Sequence, residues 1–180
     1  ELTARDTDDD ETDDYTLTFD AVGNLTDDGE SYEYQFDAYG RMVSISDQSS
    51  DLIVELRYNG LGQMIAEHRD TDDDGDVDGS DEWAHLANDP RWRVVAVFMG
   101  ADTAPTQEFL NQTAGNSAFG GESYMDQVAV RWRDTDENGT LEETRYYCQN
   151  WHHDVIAIVS GAGQHEMVRY ESYGLPYGLP

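Results

Sequence analysis

The sequence predicts an all-β protein built from short antiparallel strands joined by tight turns. Apolar and polar residues alternate through much of the chain, and Gly or Asp-Gly pairs interrupt the alternation about every 8–12 residues. No stretch repeats its apolar residues at the helical period of about 3.6 residues. Successive side chains of a strand point to opposite faces, so the alternation indicates strands that are buried on one face only.

The predicted strands follow one another along all 180 residues, and we expect a single β domain over residues 1–180. The clearest alternation covers 15–19, 32–36, 52–58 and 127–132. Two segments that are apolar at successive positions, which is typical of strands covered on both faces, are 92–98 and 155–159. The remaining predicted strands are 41–46, 63–69, 107–110, 143–149 and 166–173. Around the strand at 107–110, the segment 100–122 has few apolar residues and is predicted to be an irregular excursion.

A seven-residue motif recurs where one predicted strand ends and the next begins. It consists of an aromatic residue, then Asp, Asn or Glu, two variable residues, Gly, one further residue and an apolar residue. We expect the aromatic ring to pack inward and the second side chain to accept hydrogen bonds from the turn backbone. The glycine is expected to adopt a positive φ that other residues resist. The four copies begin at Phe19, Phe36, Tyr58 and Tyr170.

On these copies the chain resembles the YD-repeat, or RHS-repeat, family. The resemblance covers most of 15–64 and again 166–176, although Glu171-Ser172 stands where the family's closing segment has Asp-Pro. It implies a long antiparallel β-sheet that spirals into a hollow, shell-like or solenoid-like structure, as in bacterial toxins, surface and secreted proteins, and animal teneurins. Acidic insertions of the kind described next are similar to those of some large bacterial members. The family's self-cleavage residues match no positions here, so neither proteolysis nor toxicity is carried over.

The tetrapeptide Arg-Asp-Thr-Asp occurs three times, starting at Arg5, Arg69 and Arg133, so each copy starts 64 positions after the last. The arginine of each copy directly precedes an acidic segment. These three segments cover 6–14, 70–82 and 134–143 and hold about half of the acidic residues of the chain. The second and third fit the pattern D-x-[D/N]-x-[D/N]-G-x-x-[D/E], which surrounds one hard cation with oxygen ligands. The sequence therefore predicts Ca²⁺ in these loops. The alternative interpretation is a set of solvated acidic loops without metal.

In the second loop, alternate side chains would converge on the ion while Gly75 lets the backbone reverse and Val77 anchors the loop in the core. Its predicted ligands are Asp70, Asp72, Asp74, the carbonyl of Asp76, and Asp78, with Asp81 as an alternative closing ligand.

The third loop repeats the arrangement with one carboxylate fewer, which suggests weaker binding, and Leu141 takes the anchoring place. Its predicted ligands are Asp134, Asp136, Asn138, the carbonyl of Thr140, and Glu142.

The first loop has Glu11 where the glycine belongs, and a non-glycine residue is disfavoured at positive φ. Metal binding by the first loop is therefore left open. Its candidate ligands are Asp6, Asp8, Asp10, the carbonyl of Thr12, and Asp14.

Composition restricts the classes of partner. Ten basic residues against 39 acidic ones give a formal net charge of −29, which disfavours binding to nucleic acid and to anionic membranes. No apolar run is long enough to cross a membrane. The single cysteine, Cys148, excludes a disulfide framework.

We expect no enzymatic activity. A nucleophilic pair of Cys148 with His152 or His153 is conceivable, but a cysteine in a predicted strand is more often a packed residue. Trp and Tyr side chains could stack on sugars, yet such rings also fill sheet faces in YD-type repeats. Asn-x-Ser/Thr sequons occur at Asn24, Asn111 and Asn138.

The function predicted from these features is that of a Ca²⁺-stabilised YD-repeat subunit outside the cell or on its surface. Such a slab of sheet has open edges, and we expect it to assemble head-to-tail with copies of itself into a fibre. Two alternatives are a shell segment of an RHS polymorphic toxin that encloses a cargo, and a carbohydrate-binding adhesion module.

Overall fold

The computed structural model describes residues 4–5, 14–71, 76–111, 128–150, 154–163, 165–170 and 176–179. These residues form strands and turns without a helix, and every pair of strands with a defined register is antiparallel. The predicted all-β, antiparallel fold class is therefore confirmed. The described part of the chain holds no helix that is long and apolar enough to span a membrane.

The chain divides into two compact units, residues 1–84 and residues 85–180, and each is described by itself. The single domain and the spiral that the resemblance implies stay predictions.

Within each sheet of the first unit, neighbouring strands follow one another in sequence order. A short antiparallel pair consists of β1 (Ala4–Arg5) and β2 (Tyr15–Thr16). A separate sheet in this unit contains β3 (Thr18–Phe19), β4 (Leu25–Asp27), β5 (Tyr32–Phe36), β6 (Met42–Asp47), β7 (Leu52–Tyr58) and β8 (Met64–Arg69), each hydrogen-bonded to the next. The next strand, β9 (Trp83–Asn88), starts at the end of this unit.

The second unit repeats this meander. Its strands after β9 are β10 (Val94–Met99), β11 (Gln107–Asn111), β12 (Val128–Arg133), β13 (Glu143–Gln149), β14 (Val155–Ser160), β15 (His165–Tyr170) and β16 (Pro176–Leu179). Because each strand reverses direction, successive turns lie alternately at the two ends of the strands. The 70–82 loop of the first unit thus lies at the opposite end from the turns 20–24, 37–41 and 59–63.

Several predicted strand bounds are wrong. The predicted strand 15–19 is interrupted at Leu17, and the strand predicted from Trp92 begins only at Val94 because Trp92 lies in a turn with φ of 68°. Strands β1, β4, β9 and β16 were not predicted. In the predicted excursion, β11 confirms the short strand at 107–110, and residues 112–122 lie outside the described part of the chain.

The described core is shallow. Its buried apolar side chains are Ala66, Val77, Ala84 and Val97. Val77 is 7% exposed, and its N–H donates to the Leu52 carbonyl at 2.7 Å, so it anchors the acidic loop as predicted. The expectation that 155–159 is covered on both faces is wrong for Ile156, which stays 41% exposed and is the extra residue of a β-bulge, because Val155 is opposite Gln149 and Ala157 is opposite Cys148.

Candidate functional site

The repeated turn has a defined geometry, of which residues 37–41 are an example. The Asp37 N–H donates to the Arg41 carbonyl at 2.9 Å, and the Gly40 N–H donates back to the Asp37 carbonyl at 3.0 Å. The Asp37 Oδ1 accepts the N–H groups of Tyr39 and Arg41 at 2.8 and 3.0 Å. Gly40 has φ of 75°. Both roles that the sequence predicted, the capping acid and the left-handed glycine, are therefore confirmed at this turn.

The same pair of side-chain hydrogen bonds recurs at further turns. The first residues of these turns are Asp20, Asp47, Asn59 and Asp89. The turns at Asp47 and Asp89 were missed because Ser50 and Trp92 stand at the glycine position, with φ of 71° and 68°. For the turn at Asp89, the signal that could have found it is an Asp directly after a strand with a donor, Arg93, four residues later; the turn at Asp47 has no such partner, because its fifth residue is Asp51.

The side chain at the fifth position of a turn often complements the hydrogen-bonding capacity of the side chain at the first position. In the turns that start at Asp37 and Asp89, the fifth residue donates: Arg41 Nε to Asp37 Oδ2 at 2.7 Å, and Arg93 Nε to Asp89 Oδ2 at 2.8 Å. Where the turn starts with Asn, the fifth residue accepts, because the Asn59 Nδ2 donates to the Gln63 Oε1 at 2.8 Å. The two ends of these three turns are thus complementary side chains, whereas the turn at Asp47 has a second acid, Asp51, at its fifth position.

These hydrogen bonds set the protonation of the capping acids. The Arg41 side chain is the main reason that the pKa of Asp37 lies below its ordinary value, and Arg93 has the same effect on the pKa of Asp89. The backbone N–H of Asn24 is the main cause of the lowered pKa of Asp20. All three turns therefore favour the charged carboxylate.

Arg41 also connects neighbouring turns. Its Nη1 donates to the Asn59 carbonyl at 3.3 Å, and its guanidinium lies 4.8 Å from the centre of the Tyr58 ring and 5.1 Å from that of Tyr39. Tyr39 itself is 85% exposed. The guanidinium thus contributes hydrogen bonds and cation–π contacts to the packing of one turn against the next.

The third acidic loop is organised around Asp134, which is 6% exposed. Its Oδ1 accepts the N–H groups of Asp136 and Asn138 at 3.2 and 3.3 Å, and its Oδ2 accepts the Gly139 N–H at 2.7 Å. Burial raises the pKa of Asp134, but these N–H groups outweigh burial and hold it below its ordinary value. Gly139 has φ of 83°, as the sequence predicted for the loop glycine.

Three of the predicted ligands of this loop come together. Carboxylate oxygens of Asp134, Asp136 and Glu142 lie within 4.8 Å of one another. Ca²⁺ binds oxygens at about 2.3–2.6 Å, so two ligands on opposite sides of one ion lie about 5 Å apart. The three carboxylates therefore fit a single cation of this kind. The Asn138 Oδ1 accepts the Thr140 N–H at 2.8 Å within the same loop.

Glu142 closes the third loop. Its Oε2 accepts the Thr135 N–H at 3.1 Å and the Thr135 hydroxyl at 3.4 Å. Strands β12 and β13 flank the loop and pair Arg133 with Glu143, so the loop begins and ends on adjacent strands as predicted.

In the second loop the structure favours Asp81 over Asp78 as the closing acid. Asp81 is 7% exposed, its Oδ1 accepts the Thr71 N–H and hydroxyl at 2.6 and 2.8 Å, and its Oδ2 accepts the Asp78 N–H at 3.0 Å. The Asp78 Oδ1 instead accepts the N–H and the hydroxyl of Ser80, both at 2.7 Å. Asp70 and Asp76 are half-buried, while Asp72 and Asp74 lie outside the described residues.

A ring stack that sequence reasoning missed joins this loop to the sheet. The His68 Nε2 lies 3.1 Å from the carbonyl oxygen of Asp81, and a carbonyl only accepts, so this nitrogen carries the proton. The imidazole stacks on Trp83 with ring centres 4.6 Å apart, and the Arg57 guanidinium lies 3.7 Å from the Trp83 ring centre. No sequence signal distinguishes one histidine in an alternating strand.

Among the residues that the structure describes, the remaining candidates give no additional site. For the first loop only Asp14 is described, and it is exposed, while Asp6, Asp8, Asp10 and Thr12 lie outside the described residues. Cys148 is exposed on β13 opposite Ala157, and His152 and His153 are not described. The Asn24 and Asn111 amides donate to the Asp20 carboxylate and the Val94 carbonyl.

Comparisons with known proteins give only a distant likeness. No family model and no curated protein matches the chain. Among solved structures it is similar to the crystal structures of TcdB2-TccC3-TEV and TcdB2-TccC3-Cdc42, both at 13% sequence identity, with TM-scores of 0.36 and 0.34. Each match covers 91% of this chain and 8% of the solved chain. At these values the likeness supports no statement about function.

Proposed function

We propose that the chain is a non-enzymatic structural protein of the YD-repeat type, located outside the cell or on its surface. The observation that carries this proposal is one turn geometry repeated at Asp20, Asp37, Asn59 and Asp89. Each copy reverses the chain and aligns two strands without presenting a reactive group. Repetition of a strand-reversing unit extends a sheet, which is the property expected of a scaffold.

Ca²⁺ is the proposed cofactor of the second and third acidic loops. The support is the convergence of Asp134, Asp136 and Glu142, together with the net charge of −29. Carboxylates at this spacing repel one another, and a divalent cation between them removes that repulsion while adding oxygen coordination. In the second loop Asp70, Asp76 and Asp81 would serve with Asp72 and Asp74.

Copies of the chain itself are the proposed partners. A strand at the edge of a sheet exposes unpaired N–H and C=O groups that can pair with another chain. A contact between two different edges repeats from copy to copy and gives a filament when its rotation does not close. Bound Ca²⁺ would favour this assembly because it lowers the repulsion between copies.

Electron microscopy of the purified chain tests this proposal. In Ca²⁺ we expect long regular polymers, and in EGTA we expect them to dissociate. A chain that stays monomeric in Ca²⁺ over a wide range of concentration would contradict the fibre. The shell alternative, which rests on the family resemblance, predicts closed particles that protect an enclosed protein from protease.

The adhesion alternative has one observation in its favour. Tyr39 presents a largely exposed ring beside Arg41, and Leu61 of the next turn is 75% exposed, so the groove between the two turns offers an aromatic platform. A glycan array separates this alternative from the others: specific binding that is lost in Tyr39→Ala supports adhesion, and an array without binding excludes it for the glycans tested.

A further inference from the structure

The side chains that carry a formal positive charge in this chain are all of one type. All ten basic residues are arginine. Most arginines with an ion pair in the described residues have an acid of their own two or four positions away, such as Asp37 for Arg41 and Glu55 for Arg57. Strand β12 departs from this arrangement, because it carries Arg131 and Arg133 with Trp132 between them.

These arginines lie on one face of the second unit. Residues two apart on a strand share a face, and residues directly opposite on antiparallel strands share it too. Arg131 is opposite Arg145, and Arg133 is opposite Glu143. One face of β12 and β13 therefore presents three arginines and one glutamate. We call Arg131, Arg133, Arg145 and Glu143 the arginine face.

One carboxylate serves two of the three guanidinium groups. The Glu143 Oε2 lies 3.0 Å from the Arg131 Nη2, and its Oε1 lies 2.8 Å from the Arg145 Nη2. The Arg131 Nε is buried and has no acceptor among the described residues. Arg133 is exposed and forms no ion pair with a described residue. The arginine face thus carries a formal excess of two positive charges in a chain of charge −29.

We propose that the arginine face binds the acidic segment 6–14 of a second copy of this chain. The proposal rests on the self-assembly put forward above and names one contact that would hold the assembly together. Carboxylates are the anions that this chain supplies in excess, and arginine binds them through two parallel hydrogen bonds. Opposite charge on the two surfaces would also accelerate their encounter.

The spacing of the charges supports this choice of segment. Along β12, Arg131 and Arg133 are two residues apart, which corresponds to roughly 6.8 Å. Asp6, Asp8 and Asp10 alternate at the same interval in sequence, so an extended segment would present their carboxylates with this spacing on one side. Since Glu11 replaces the glycine that a metal loop requires, these acids are the least suited of the three sets to hold an ion.

The test uses a fluorescent peptide with the sequence of residues 6–14, titrated against the full chain and followed by fluorescence anisotropy. We expect saturable binding that weakens as salt is added, and at least about a tenfold loss of affinity in Arg133→Glu. Arg169→Glu is the matched control because Arg169 is exposed on β15 and the charge change is the same. Arg133→Gln is a second variant that removes the cation without adding an acid.

Failure to bind the wild-type chain, or equal losses in Arg133→Glu and Arg169→Glu, would overturn the proposal. A short oligonucleotide that binds the chain more tightly than the peptide does, and loses this affinity in Arg133→Glu, would overturn the assignment to an acidic segment. Peptide binding by a chain that sediments only as a monomer would overturn the assignment to a second copy. Polymers that form equally well in wild type and Arg133→Glu would leave the proposed function intact and contradict only this contact.

Discussion

The Asp81 carboxylate accepts both the N–H and the hydroxyl of Thr71, and Glu142 makes the same two contacts with Thr135. Each threonine is the second residue of its acidic loop, but the closing acid follows ten positions later in one case and seven in the other. The two loops therefore differ in length and close through the same interaction. Asp81, which the metal-loop pattern leaves as an alternative, is the structural equivalent of Glu142.

This equivalence predicts that Asp81→Asn lowers the melting temperature of the chain. Asparagine keeps one acceptor oxygen but turns an amide group toward a backbone donor, so at least one part-buried N–H, of Thr71 or of Asp78, loses its partner. Differential scanning calorimetry in EGTA isolates this effect from metal binding. Glu82→Gln is the control, because Glu82 is exposed, and an equal decrease in both variants would contradict the role given to Asp81.

Because Val77 anchors the acidic loop, its truncation should lower the free energy of unfolding more than truncation of an exposed valine. Val77→Ala removes two buried carbons and should lower the free energy of unfolding by about 2 kcal/mol, counting transfer and the small cavity. Val22→Ala should change it by less than about 0.5 kcal/mol, because Val22 is 81% exposed. Urea denaturation measures both values. Similar effects of the two substitutions would show that Val77 does not anchor the loop.

The geometry of the repeated turns predicts that alanine is more destabilising at one glycine than at another. Gly23 has φ of 96° and open space around it, so Gly23→Ala should cost about 1–2 kcal/mol from backbone strain alone. Gly60 has equally open space but no positive φ, so Gly60→Ala should not destabilise the chain. Thermal unfolding of the two variants compares them directly. If Gly60→Ala were as destabilising as Gly23→Ala, strain at the fourth turn position would not explain the glycine.

The capping acids predict how stability depends on pH. The pKa of Asp37 is lowered in the folded chain, mainly by Arg41, so its stabilising effect is present above the ordinary value of 3.8 and is lost as pH falls through the lower folded value. The difference in urea midpoint between wild type and Asp37→Asn should therefore narrow below about pH 3.8. Asp102→Asn serves as the control. A difference that stays constant down to pH 2 would contradict the link to Asp37.

Local chemistry explains why much of the fold follows from the sequence. The alternation in β5 and β7 and the three Gly-containing turns at Gly23, Gly40 and Gly62 were predicted because one strand or one turn contains the whole signal. The turn at Asp89 was missed because Trp92 adopts the positive φ that sequence reasoning reserves for glycine. The hydrogen bonds around the turn hold a conformation that the residue itself disfavours.

Contacts between distant segments account for the features that were missed. The loop pattern grouped Asp134, Asp136 and Glu142, whose carboxylate oxygens lie within 4.8 Å of one another, because all three belong to one short segment. The choice between Asp78 and Asp81 depends on which of them reaches Thr71 after the chain folds back. The stack of His68 on Trp83 joins two strands, and the pairing of Arg131 with Arg145 requires the strand register. None of these can be derived from spacing along one segment.

Calorimetric titration of Ca²⁺ into the chain stripped with EGTA tests the claim that the acidic loops bind this ion. We predict that the wild-type chain binds Ca²⁺ at both the second and the third loop, that Asp136→Ala loses the ion of the third loop, and that Asp102→Ala retains the wild-type stoichiometry. A wild-type chain that takes up no Ca²⁺, or an Asp136→Ala variant with unchanged stoichiometry, would contradict the account.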